Sequence, residues 1–173
     1  MSVVKTILMG IMAGMFIALG AATSNTAAHD VANVGLARMI SGAIFPVGLM
    51  MIVLCGGELF TGNCMIVMGV MDKKIKCSKM IRNLVLVYFS NMVGGVMTAY
   101  LTYFSGNMDY TAGKLGAYTI KIAVGKASID PIKGITSGIL CNILVCMAVL
   151  MAGAAKDIGG KIWAMFFPIF AFV

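Results

Sequence analysis

Charged residues divide this chain into long apolar runs: Thr6–Ala28, Met39–Gly57, Leu59–Met71, Asn83–Met108, Gly134–Ala155 and Ile162–Val173. About 20 apolar residues in helical conformation cross the hydrocarbon core of a bilayer, so the first, fourth and fifth runs predict transmembrane helices directly. The second and third runs are separated only by Glu58. Together they are too long for one straight span, and Leu59–Met71 is too short to be a second one. The pattern therefore predicts one crossing made of two half-helices, with an irregular turn over Gly56–Asn63. The last run, 12 residues long, is half a span. It suggests about 4.5 spans of a larger bundle and a sequence incomplete at its C-terminus.

Composition supports the membrane reading and removes its competitors. The chain has 173 residues, is 61% hydrophobic and 11% charged, and has a mean hydropathy of +1.01. Those values exclude a soluble domain and a disordered segment. The N-terminal run resembles a secretory signal, but it is longer than a signal core and further spans follow it directly. Thirteen Lys and Arg against six Asp and Glu give a net charge of +7. If Met39–Met71 crosses once, Lys5, Lys73, Lys74, Lys76, Lys79, Arg82, Lys156 and Lys161 share one side. The positive-inside rule makes that side the cytoplasm of a plasma (inner) membrane, together with the N-terminus. Arg38, Lys114, Lys121, Lys126 and Lys133 fall outside, an excess that suggests a role in collecting anions.

Short motifs recur in the same order. Gly10-Ile-Met-Ala-Gly14 is echoed by Gly134-Ile-Thr-Ser-Gly138, and Phe45-Pro46 by Phe167-Pro168. This predicts one channel-like domain over residues 1–173 built from two copies, about 1–110 and 127–173. Three crossings per complete copy would place them in opposite orientations. The paired glycines also have the small-xxx-small spacing of closely packed helices.

Irregular backbone at membrane depth is tolerated only where protein or water satisfies it, so Gly56–Asn63 is the first candidate site. Thr61 and Asn63 offer neutral donors there, and Leu59 and Phe60 apolar surface. Glu58, costly inside an apolar run, is expected to accept hydrogen bonds from free N–H groups of the turn; a proton relay is the other reading. Phe45 and Leu49 share a helical face and suit either a hydrophobic gate or plain packing. Asn142, in mid-span, suits a pore lining or an interhelical bond, and Lys126 borders the outer entry. The five cysteines form no Cys-x-x-Cys pair, His29 is alone, and no cofactor or nucleotide motif is visible. Seventeen methionines keep a copper-handling or redox membrane protein as the alternative class, although adaptable apolar filler accounts for them.

The wording Gly57-Glu-Leu-Phe-Thr-Gly-Asn63, with Asn142 in Leu-Cys-Asn-Ile-Leu-Val-Cys and a closing Phe-Pro-Ile-Phe-Ala-Phe-Val, resembles the formate/nitrite transporter family, most closely its hydrosulfide channel branch. The resemblance implies an all-α, aquaporin-like inverted repeat of six spans, assembled as a homopentamer in the lipid bilayer. It implies passage of hydrosulfide, formate or nitrite, or their conjugate acids, with no enzymatic activity, cofactor or nucleic-acid partner. Leu59, Phe60 and Thr61 match the family's broken-helix pore loop. Phe45, Leu49 and Phe172 match its hydrophobic constriction, Asn142 its polar pore helix, and Lys126 its vestibule lysine. The family's central histidine is expected a few residues beyond Phe172.

Overall fold

The computed structural model describes residues 2–173 and is helical almost throughout. Helix α1 (Val3–Ala28) opens on Ser2, whose hydroxyl caps the Lys5 N–H. Helix α6 (Cys77–Phe104) lies against it. The contact is close because it is lined by glycine: a Cβ at Gly14 would run into the Asn91 carbonyl, and one at Gly94 into that of Ile11. Between membrane helices, which gain nothing from excluding water, such backbone approach is a main source of attraction. The small-xxx-small reading therefore holds for Gly10 and Gly14. Gly138, by contrast, has open space around it.

The second span differs from expectation. Helices α2 (Val34–Ile44) and α3 (Pro46–Cys55) are interrupted for a single residue, Phe45. Proline at the first position of α3 lacks only an N–H that a helix start leaves free. The Phe45 N–H still reaches the Ser41 carbonyl at 2.9 Å. The combined segment, Val34–Cys55, is 22 residues and apolar, a long helix rather than a half-helix. Gly56, at φ +88°, ends it in the left-handed conformation that glycine adopts without strain. The irregular backbone is then shorter than expected, Gly56–Leu59, because Phe60–Asn63 forms a helical turn, α4, followed by α5 (Ile66–Met71).

Beyond α6 the chain passes through a 3-10 turn (Asn107–Asp109) and α7 (Lys114–Ala127) into α8 (Pro131–Ala154), then α9 (Ile158–Phe172). Asp130 and Asp157 cap α8 and α9 by accepting backbone N–H bonds. A buried seam joins α3, α8 and α9 through Leu49, Val145, Ala148, Ala152, Met165 and Ile169. The outward faces of α6 and α8 stay apolar: Phe89, Met92, Ile139 and Leu140 are each more than half exposed. Such surface suits lipid or neighbouring protein and not water.

The two ends of the bundle carry the cation groups separated in the sequence. Thr6 lies with Lys79 and Arg82 at one end, and Asp30 meets Lys114 at 2.8 Å at the other. At the second end His29 also bonds Thr111 Oγ1 at 2.8 Å, tying the end of α1 to the turn that leads into α7.

Candidate functional site at the broken helix

The break is held by side-chain amides from α6. Asn91 accepts from the Phe60 N–H at 2.9 Å, and its Nδ2 donates to the carbonyls of Gly10 (2.8 Å) and Glu58 (2.9 Å). The Glu58 N–H goes to the Met9 carbonyl of α1 at 3.1 Å. Three backbone groups that a continuous helix would satisfy internally are thus satisfied by α1 and α6, the condition for irregular chain at membrane depth. Sequence reasoning passed over Asn91. The signal available was an amide inside the charge-free run Asn83–Met108.

Glu58 and Asn63 depart from expectation together. The Glu58 carboxylate accepts from the Asn63 side-chain amide, not from free N–H groups of the turn. Asn63 Nδ2 also donates to Asn83 Oδ1 at 2.9 Å. Both amide protons of Asn63 are therefore engaged inside the protein, and Asn63 is not a free donor for a solute.

Thr61 is the opposite case. The hydroxyls of Thr6, Thr23, Thr26, Thr98, Thr102 and Thr136 all donate to carbonyls three or four residues back in their own helices. Three residues before Thr61 stands Glu58, in non-helical backbone, with its carbonyl already engaged by Asn91. Thr61 Oγ1 is buried and has no hydrogen-bond partner among the described residues. Buried hydroxyls are seldom left so; among the described residues Thr119 Oγ1, within α7, shares this state.

Of the expected residues, the structure brings Asn142 and Leu59 close to Thr61. Cys146 of α8 donates its thiol to the Thr61 carbonyl at 3.2 Å. Asn142 lies one turn earlier on the same face, 3.8 Å from Cys146 Sγ. Leu59 packs on the α3–α8–α9 seam. Phe60 is set apart, its ring edge-on to Tyr88 of α6 at 5.6 Å between centroids. Leu49 is 2% exposed within the seam, and Phe45 meets Phe172 edge-on at 6.0 Å. Phe45 lies beside Gly20 of α1, and Glu58 beside Met9. At the helical rise of about 1.5 Å per residue, the aromatic pair and the break are ~16 Å apart along α1. Lys126, in the last turn of α7, is exposed and forms no ion pair among the described residues.

The whole chain, residues 1–173, matches the family model for formate/nitrite transporters. It belongs to the formate/nitrite transporter family. It is 39% identical to a probable formate transporter of Methanothermobacter thermautotrophicus, over 98% of this chain and 68% of that one. It is 36% identical to the formate channel FocA of Haemophilus influenzae, over 95% of this chain and 58% of that protein. Among solved structures, a pentameric formate channel with formate bound superposes with a TM-score of 0.88 at 27% identity, covering 99% of this chain and 68% of the other. The chain thus spans between 58% and 68% of the length of these relatives. The all-helical membrane fold with a broken helix is that of the formate/nitrite transporter channels, and these named relatives are channels and transporters, not enzymes.

Proposed function

We propose that the protein is a passive channel for small monovalent anions, or their conjugate weak acids, with formate, nitrite and hydrosulfide as the substrate class. The observation that carries this reading is the unpartnered Thr61 hydroxyl at a break in a membrane helix, in a chain whose relatives include formate channels. Lys126 draws anions toward the outer mouth. Phe45, Leu49 and Phe172 form an apolar constriction that strips water. Between that constriction and Leu59 and Phe60, the Thr61 hydroxyl and the Asn142 amide replace part of the lost hydration. A weak acid protonated in this section crosses the apolar segments as a neutral molecule, which avoids the cost of a bare charge in low dielectric.

The protein acts as a homopentamer of independently conducting protomers. The similar solved channel is pentameric, and the exposed apolar face of α8, with Ile139, Leu140 and Ile143, supports the same assembly here. The N-terminus and the Lys73–Arg82 run lie in the cytoplasm of the plasma membrane, supported by the clustering of basic residues at that end. Residues 1–110 and 127–173 are inverted copies, supported by the parallel positions of α1 and α8 in the chain. Uptake of formate by liposomes containing the full-length protein tests the reading: flux above empty vesicles is expected, and its absence for every small anion overturns it.

A further inference from the structure

A cleft of about 350 Å³ opens between α1 and α6 at the basic end of the bundle, lined by Thr6, Lys79, Arg82, Asn83 and Leu86. We propose that it binds the phosphate headgroup of an anionic membrane lipid. Lys79 and Arg82 are three residues apart and share a face of α6. Neither has an acidic partner among the described residues: the nearby Asp72 is taken by Lys74 at 3.1 Å, and Glu58 is held by Asn63. Two cations without counter-ions flank one free neutral donor, because the Thr6 hydroxyl is spent on the Ser2 carbonyl. Asn83 spends its Oδ1 on Asn63 and leaves its Nδ2 unpartnered among the described residues. A guanidinium fork with an ammonium beside it is the arrangement that suits phosphate oxygens.

Depth favours a lipid over a soluble phosphate. α6 carries its last charge at Arg82, and the run from Asn83 to Met108 has none. The cleft therefore straddles the boundary at which headgroups meet hydrocarbon. Leu86 forms its apolar wall, and Val85, Phe89 and Met92 continue exposed along α6, where acyl chains would lie. Basic pockets between membrane helices near the surface are a recognised setting for anionic headgroups. Asn83 also belongs to the hydrogen-bond chain of the broken helix, so cleft and break share a side chain.

The test is lipid binding by the full-length protein in mixed micelles, followed by native mass spectrometry, with no dependence on transport. Phosphatidylglycerol should bind in preference to phosphatidylcholine. The double variant K79Q/R82Q should bind it roughly 30-fold more weakly, at the usual contribution of a basic residue near an anionic surface. K73Q/K76Q, which removes equal charge from the same run outside the cleft, should change binding less than about threefold. K79R/R82K, which keeps the charge and controls for folding, should stay within about threefold of wild type. Equal weakening by K73Q/K76Q, or equal affinity for phosphatidylcholine, would overturn the proposal. Displacement of phosphatidylglycerol by a tenfold excess of inorganic phosphate would do the same, since the ligand would then be the free anion.

Discussion

Replacing Thr61 with valine separates a solute-binding hydroxyl from a structural one. The change removes one O–H and keeps a similar shape. In an ordinary helix it deletes the bond to the carbonyl four residues back, as it would at Thr98 or Thr102. At Thr61 there is no such bond to delete. A hydroxyl left without a partner in apolar surroundings costs about 1–3 kcal/mol, so Thr61→Val should leave the folded protein as stable as wild type or more stable by up to that amount. Flux should move the other way. A hydrogen bond to a charged group contributes about 1.5–3 kcal/mol. Its loss at the crossing barrier slows transport roughly 10- to 150-fold. Thr61→Ser, which keeps the hydroxyl, should stay within a few-fold of wild type. Thermal unfolding in detergent and formate uptake in proteoliposomes are measured on the same preparations. A Val variant that is clearly destabilised and transports at the wild-type rate would show that the hydroxyl serves the fold and not the solute.

Asn91→Leu removes three hydrogen bonds and strands the Phe60 N–H and the Glu58 carbonyl at the break. A loss of about 3 kcal/mol or more is expected in thermal unfolding, with transport abolished; a stable variant would remove Asn91 from its place as clamp of the break. Lys126→Ala should slow anion entry, most at low ionic strength, where screening is weakest and the exposed lysine acts furthest. Rates unchanged across salt and pH would take Lys126 out of the mechanism. At the outer end, the Lys114 hydrogen bond and then its charge hold the Asp30 carboxyl below its ordinary value of 3.8. A depressed carboxylate stabilises above its unfolded pKa and loses that contribution as pH falls through the lowered value. The tie between the α1 end and α7 should therefore persist down to about pH 4 and loosen below it. Amide exchange at Gly113 and Lys114, whose N–H groups bond the Asp109 and Thr111 carbonyls, corrected for its intrinsic pH dependence, reads this, and Asp30→Asn should abolish the transition.

The parts of this structure that the sequence made legible are those set by run length and local spacing. Apolar runs gave the spans because hydrocarbon thickness fixes how much helix is needed. Gly10 and Gly14 gave the α1–α6 contact because their spacing is itself the contact surface. Glu58 inside an apolar stretch marked the break. What stayed hidden depends on which groups become neighbours across the bundle. Asn91 bonds to Gly10, 81 residues away, and to Glu58, 33 residues away, so no local pattern announces it. Asn63 looked like a free donor until packing set it between Glu58 and Asn83. Thr61 was legible as polar, but its importance is that nothing in the protein answers it, which only the arrangement of Glu58 and Asn91 reveals. The long second helix was misjudged at Phe45-Pro46, because proline at the start of α3 interrupts the helix for one residue without ending the span.

The claim of passive conduction is tested most directly by following formate, nitrite, hydrosulfide and chloride separately into liposomes bearing the full-length protein, each driven only by its own gradient. The three weak-acid anions should enter faster than in empty vesicles and stop at equal concentrations inside and out, with chloride slower. Accumulation of any of them beyond that equilibrium, or entry no faster than in empty vesicles, would contradict it.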